Sequence, residues 1–378
     1  MVKTAFVKLW GERIGAIAWD EKQELGFFEY DKKFIAGKLD VAPIKMPLSS
    51  RIYSFPDLRN TSTFKGLSGL LADSLPDRYG NKLINVWLAR NGRPENSLNP
   101  VELLCFIGSR GMGALEFEPT TLSPKSSSHT IELSSLIDTT IKLLESRENF
   151  EAHTDHDMQD VLLDVLKMGT SAGGARPKAI IAYNEATGMI RSGQILQNEG
   201  FEHWLIKFDG VQDTQFGVTF GYGRVEMAYY KMATDAGIEM MESRLIEEDG
   251  RAHFMTKRFD RKNGNQKLHV QTFCAVQHYD FNQISSYSYE QLFQTMRLLK
   301  LSYSEAEQMY RRMLFNVFAR NCDDHTKNFA FIMEQDGKWR LAPAYDICHA
   351  YRPDSDWVSQ HNLSINGKRK DFVKEDLL

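Results

Sequence analysis

Hydrophobic and polar positions along this chain change period several times, and each change predicts an element. Residues 5–9 and 14–19 flank Gly11–Glu12 and read as a hairpin with a two-residue turn, with a third strand at 25–30. Between 66 and 90 the apolar positions Leu67, Leu70, Leu71, Leu75, Leu83, Val86, Trp87 and Leu88 recur at helical spacing, with Pro76 and Gly80 expected to break the run. Residues 101–107 predict a short helix. Gly108, Gly111 and Gly113 then form a turn before a strand at 114–117; with no strand before this triplet and no helix after it, a phosphate-loop reading is disfavoured. The Ser/Thr/Pro-rich stretch 120–130 reads as a linker, followed by helices at roughly 131–146 and 156–167.

The second half alternates strand and helix signals. Strands are predicted at 179–183, 203–208 and 252–256, the last followed by a turn at Asn263–Gly264. A helix at about 223–236 places Val225, Ala228, Tyr229, Met232, Ala233 and Ala236 on one face, and Gly237 stops it. Further helices fall at about 289–299 and 304–319. A polar run then leads into two short strands, 329–333 and 338–341, joined through Gln335–Asp336–Gly337.

Composition narrows the classes. At 378 residues the chain can hold two or three domains with their own cores. A net charge of −4 gives no nucleic-acid footprint. No apolar run approaches the roughly 18 residues of a membrane span, and the N-terminus lacks a secretory signal pattern. Cys105, Cys274, Cys322 and Cys348 are scattered without a CxxC pair, which fits a cytoplasmic protein with free thiols. Cys322 is read as a packing residue.

The chemistry concentrates between 315 and 347, where Asn321, Asp323, Asp324, His325, Asn328 and Asp346 fall in a helix–polar loop–hairpin–acid layout. Phosphoryl transfer needs a carboxylate for the attacking hydroxyl and oxygen ligands that hold Mg²⁺ against nucleotide phosphates. In protein kinases the base Asp and a metal-binding Asn are separated by four intervening residues, and a second metal-binding Asp follows a hairpin. Asp323, Asn328 and Asp346 have that spacing, although Asn321-Cys322-Asp323 and Tyr345-Asp346-Ile347 replace the usual letters. Upstream, the segment 168–178 brings Gly173, Gly174, Arg176 and Lys178 together before a strand, as a ligand-approaching loop or as a plain flexible one. Lys207 on an apolar strand is expensive unless paired, so it reads as a phosphate contact or as a strand-end lysine reaching solvent. Glu226 reads either as its ion-pair partner or as a surface residue favoured by a helix N-terminus. His269 and His278 lack metal-ligand spacing, and His325 lacks the second histidine-bearing helix that an HD-type hydrolase would need.

The motifs NCDDHTKNF (321–329), LAPAYDI (341–347), SAGGARPKA (171–179), WLIKF (204–208), KRFDR (257–261), FKGLSGLLADSLPDRYG (64–80) and IGSRGMGAL (107–115) resemble, in order, those of the HipA-type serine/threonine kinases of bacterial toxin–antitoxin systems. The resemblance implies an α+β, two-lobed protein-kinase-like fold: an N-terminal subdomain at 1–120, a kinase N-lobe at 121–262 and a helical C-lobe at 263–378. It implies transfer of the ATP γ-phosphoryl, with Mg²⁺, to a protein serine or threonine, with an aminoacyl-tRNA synthetase as one class of substrate. Asp323 would be the base, and Asn328 and Asp346 the metal ligands. The loop Ser171, Ala172, Gly173, Gly174, Ala175 to Lys178 would cover the phosphates, with Ser171 (or Thr170) as the autophosphorylated residue that shuts the enzyme down. Lys257, Phe259 and Asp260 match nucleotide-side hinge positions, although relatives often carry Glu where Lys257 stands; His325 matches a nucleotide contact. Asp324 is expected only to shape its loop. The family further implies an HTH antitoxin (HipB-like) partner, with DNA met only through it, and a C-lobe that in relatives commonly continues beyond the point matching Leu378. Two other classes remain open: a non-catalytic partner in a repressor complex, and a small-molecule phosphotransferase.

Overall fold

The computed structural model describes residues 2–121, 136–137, 140, 168–170, 176–193, 200–211 and 220–378. The predicted linker and the helices expected at 131–146 and 156–167 lie largely outside these residues, as do Ser171 to Ala175. The chain forms two compact units from non-consecutive segments: Met1–Val2, Ser74–Met227 and Glu242–Lys267 in the first, and Lys3–Asp73, Ala228–Met241 and Leu268–Leu378 in the second.

The first unit is built on a five-stranded antiparallel sheet, in the order Ile190–Ser192, Lys178–Asn184, Phe201–Lys207, Arg251–Lys257 and Ser243–Glu248. The near-continuous apolar run of Lys178–Asn184 is buried on both faces, as an interior strand requires. Two capped helices belong to this unit. Asp77 accepts from the Gly80 N–H at 2.9 Å to start Arg78–Arg90, and Asn99 and Glu102 form a capping box for Pro100–Ile107. Gly80 therefore lies inside a helix and does not end one. Its missing Cβ is what fits, since a Cβ there would stand 2.8 Å from the Thr170 carbonyl oxygen.

The helix Tyr222–Asp235 also departs from the expected face. Glycine 223, Glu226 and Ala233 are buried, whereas Val225 and Met232 are exposed. A Cβ on Gly223 would come within 1.9 Å of the Ala252 carbonyl oxygen, so the helix start lies directly on the sheet backbone. Close approach at a glycine, not the apolar stripe, orients the first turn and turns Glu226 inward.

In the second unit, Thr4–Leu9, Glu12–Asp20 and Leu25–Tyr30 form an antiparallel meander. Its first turn is Trp10–Gly11, one residue earlier than expected, with φ of 51° and 82°. Positive φ at both central positions matches the twist of the flanking strands. A three-stranded sheet, His269–Thr272, Ala330–Met333 and Trp339–Leu341, packs with the helices Phe273–Gln277, Tyr289–Leu298 and Tyr303–Phe318 around Phe273, Leu292, Met309, Phe329 and Phe331. Capping boxes at Ser288/Gln291 and Ser302/Glu305 set the starts of the two longer helices.

Candidate functional site

The polar loop follows the end of Tyr303–Phe318. Arg320 takes φ 51°, and Cys322 N–H donates to the Ala350 carbonyl at 3.1 Å. Asp324 is the buried anchor of this loop. Its Oδ2 accepts from the Tyr289 hydroxyl (2.8 Å) and His361 Nδ1 (2.9 Å), and its Oδ1 accepts from Asn362 N–H (2.7 Å). Asn316 donates to the Tyr289 hydroxyl oxygen at 3.0 Å, and Asn321 to Asn316 at 2.9 Å. Burial alone would push His361 down; its bond to the Asp324 carboxylate, with a contribution from Cys322, raises it to about 10. His361 is therefore charged at neutral pH and donates to Asp324. The loop-shaping role expected of Asp324 is what this network performs.

Asp323 stands next to that anchor with its side chain 39% exposed. Its Oδ1 accepts from the Trp357 indole N–H at 2.6 Å and lies 3.7 Å from His325 Nε2. Partial burial pushes its carboxyl up, and repulsion from Asp346 and Asp324 adds to this; His325 and the indole N–H oppose it. Such a carboxylate is a better proton acceptor than a free one. His325 caps the short helical turn Thr326–Asn328: its Nδ1 accepts from Lys327 N–H at 3.2 Å, which leaves the ring proton on Nε2, toward Asp323. Asn328 Nδ2 donates to the Asp323 carbonyl at 2.7 Å, so its amide is oriented by the backbone of Asp323. Asp346 is exposed after the hairpin with φ 52°, an unfavourable conformation for a non-glycine residue and one often kept for function. Among the described residues no three His, Cys, Asp or Glu side chains form a metal-holding group. Asn328 and Asp346 offer one amide oxygen and one carboxylate. Both are hard-oxygen donors of the kind Mg²⁺ takes beside waters and substrate phosphates.

On the first unit, Lys207 Nζ is 2.9 Å from Glu226 Oε2, with side chains 14% and 7% exposed. Lys178 lies directly across from Lys207 in the sheet register, so both side chains leave the same face. Lys178 is itself buried. The hinge segment departs from its expected role in two places. Asp260 is fully buried: Arg258 and Arg261 pair with its carboxylate, and the Gly113 N–H donates to it at 2.7 Å. Burial works against its charge, but the two guanidinium groups win and hold it well below the usual carboxylate range. Both oxygens are committed, so the ribose-side role expected of Asp260 is corrected to a structural one that docks the glycine turn at 108–113. Lys257 pairs through its ammonium with Glu202 (2.8 Å) and Glu242 (2.7 Å), and the N–H groups of Lys257 and Arg258 donate to the Glu242 and His203 carbonyls. The Lys257 ammonium and its main-chain N–H are thus engaged by Glu202 and Glu242. Phe259, partly exposed, is the remaining hinge residue of the expected set. The fallback acceptor Thr170 is 1% exposed, with its hydroxyl inside the protein. His269 and His278 are buried structural residues bonded to the Val41 carbonyl and the Gly69 N–H.

The sequence missed Trp357, His361, Asn362, Tyr289 and Phe281. For Trp357, His361 and Asn362 the only signal was a run of aromatic and polar residues, DWVSQHN, in a segment without period, and the acids they bond lie 34–38 positions away; Tyr289 and Phe281 carried no signal of their own.

A lysine on a sheet strand paired with a glutamate on a helix, and a polar Asp–x₄–Asn loop followed by an acid after a hairpin, are carried on an α+β chain. The model of the HipA-like C-terminal domain matches residues 170–376, and that of the HipA N-terminal domain matches residues 5–118. The chain belongs to the HipA family. Among solved structures it is similar to HipA of Shewanella oneidensis MR-1, in the complex of the toxin–antitoxin system with HipB and operator DNA. The TM-score is 0.67 at 18% identity, over 97% of this chain and 80% of that one. A Helicobacter pylori proinflammatory kinase, CtkA, overlaps 47% of this chain and 55% of its own at 13% identity and a TM-score of 0.31, too low to argue from. No curated protein matches. No described helix is long and apolar enough to cross a membrane.

Proposed function

We propose that this chain is an ATP- and Mg²⁺-dependent serine/threonine protein kinase that acts as the toxin of a toxin–antitoxin pair. The observation that carries it is the loop in which Asp323, oriented by Trp357 and held by Asn328, shares its surroundings with Asp346. Asp323 takes the proton of the acceptor hydroxyl. Asn328 and Asp346 would hold Mg²⁺, which when bound neutralises charge on the nucleotide phosphates. Lys207, steadied by Glu226, contacts those phosphates; Lys178, across the strand, adds positive charge; Phe259 lies on the adenine side and His325 near the nucleotide. Ser171 is the proposed self-limiting phosphorylation site, with Ala172, Gly173, Gly174 and Ala175 covering the phosphates. The buried hydroxyl of Thr170 makes it a poor substitute unless its segment leaves. By resemblance, the acceptor is a protein of the translation machinery such as an aminoacyl-tRNA synthetase, and the setting is cytoplasmic.

A second reading adds an assembly. The similar Shewanella protein was solved with HipB and operator DNA, and on that basis we propose an HTH, HipB-like antitoxin partner for this chain, through which alone it meets DNA.

The test is intact mass before and after Mg²⁺–ATP, beside Asp323→Asn. The wild type should gain phosphate at Ser171, and Asp323→Asn should lose about 10²–10⁴-fold in rate while still binding ATP. A wild-type rate in Asp323→Asn sinks the assignment. Phosphate appearing only on added metabolites would replace the protein kinase with a small-molecule phosphotransferase.

A further inference from the structure

Asp323 is held asymmetrically. The Trp357 indole N–H, at 2.6 Å, and His325 Nε2, at 3.7 Å, both approach Oδ1. Among the described residues no hydrogen bond or ion pair reaches Oδ2. The indole is also fixed from behind. Asn362 Nδ2 donates to both the Trp357 carbonyl (3.2 Å) and the Cys322 carbonyl (2.9 Å), tying the backbone of Trp357 to the residue before the base. Ser355 Oγ accepts from the Trp357 N–H at 3.2 Å. The ring sits edge-on to Phe281 at 6.2 Å and to His325 at 5.8 Å, and those two rings meet at 5.2 Å, so the Trp357 indole is part of a three-ring aromatic cluster. Lys327 Nζ lies 5.1 Å from the Phe281 ring centre, on the same cluster.

A partly exposed carboxylate has two equivalent oxygens and free rotation about its terminal bond, which spreads its acceptor directions. A hydrogen bond to a ring that is itself locked removes that freedom. We propose that Trp357 is a positioning residue: its indole N–H occupies Oδ1 of Asp323 and thereby assigns Oδ2 to the acceptor hydroxyl. The inference deepens the kinase reading and depends on it. In that reaction the acceptor oxygen forms a bond to the γ-phosphorus, and the bond between that phosphorus and the β,γ-bridging oxygen breaks. ADP leaves with the electron pair, and the hydroxyl proton goes to Oδ2. Trp357 touches neither substrate nor phosphate in this scheme.

Trp357→Phe keeps an aromatic ring and removes the N–H. Steady-state transfer to a protein acceptor should then show kcat reduced about ten- to hundredfold, the scale of a misplaced reacting group, with KM for ATP unchanged. In the wild type, the Trp357 indole ¹H–¹⁵N resonance should lie downfield, as a bond to a carboxylate requires, and should move upfield in Asp323→Asn. An active wild type with Trp357→Phe equal to it in kcat overturns this assignment and leaves the kinase reading standing. An indole resonance unmoved in a folded Asp323→Asn protein overturns it as well, independently of turnover. A wild type that transfers no phosphate to any acceptor overturns the kinase reading, and this inference with it.

Discussion

At the residue scale, two adjacent acids are placed differently. Asp323, the proposed base, is left partly exposed, whereas Asp324 is spent on holding the loop through Tyr289, His361 and Asn362. This second acid makes stability depend on pH. His361 is raised to about 10 in the folded chain against an ordinary 6.5, so its contribution is complete below about pH 6.5 and is lost as pH rises through 10. His361→Gln should therefore lower stability by about 3 kcal/mol at pH 7, since it leaves a buried carboxylate without its charged partner. In thermal melts from pH 6 to 10.5, the gap between wild type and variant should close toward the alkaline end. A gap constant across that range would refute the charged pair. The doublet Asp323–Asp324 was visible in the sequence, but which acid would be buried depended on Tyr289 and His361, 35 positions before it and 37 after.

At the element scale, the helix Tyr222–Asp235 shows where periodicity misleads. Counting apolar residues put Val225 and Met232 inward, yet both are exposed and Glu226 is buried. The expected stripe holds only in part, with Ala233 buried and Val225 and Met232 on the exposed side. Contact between Gly223 and the Ala252 carbonyl chose the face instead, and with it the Lys207–Glu226 pair. Gly223→Ala should force the helix start off the strand Arg251–Lys257. A loss of about 1–3 kcal/mol in denaturant midpoint experiments is expected, as for other overpacked sites, with weaker ATP binding alongside. Unchanged nucleotide affinity in a folded Gly223→Ala protein would mean that the lysine–glutamate pair does not need this contact.

At the scale of the whole molecule, the groups proposed for one reaction are distributed over two units. Lys178, Lys207 and Phe259 belong to the first, and Asp323, Asn328 and Asp346 to the second. Ligand linkage can test whether nucleotide and metal act together. Saturating ATP at about 100 times its Kd should stabilise the wild type by about 2.7 kcal/mol when Mg²⁺ is present, and by less in EDTA. Asp346→Asn should lose the Mg²⁺-dependent part alone, so that the two proteins melt together in EDTA. Equal nucleotide-induced shifts with and without Mg²⁺ in the wild type would remove Asp346 from the metal site.

Short-range chemistry is legible in the order of residues along the chain. The strand at 25–30, the helices near 101–107, 289–299 and 304–319, and the hairpin after the polar loop follow from period, caps and turn residues within a few positions of each other. The spacing of Asp323, Asn328 and Asp346 is likewise local, and together with the ordered motifs it pointed to the HipA family. Only the tertiary structure decided the occupancy of polar groups. Asp260 reads as a hinge acid until Arg258, Arg261 and the Gly113 N–H are seen to consume it. Trp357 reads as one more aromatic until its N–H is found on Asp323. A buried polar group must find a partner, but nothing in the one-dimensional pattern says which distant residue satisfies it. Pairing across 30 to 150 positions is set by how distant segments pack within each unit, and with it the difference between an acid that holds the chain together and one left partly exposed.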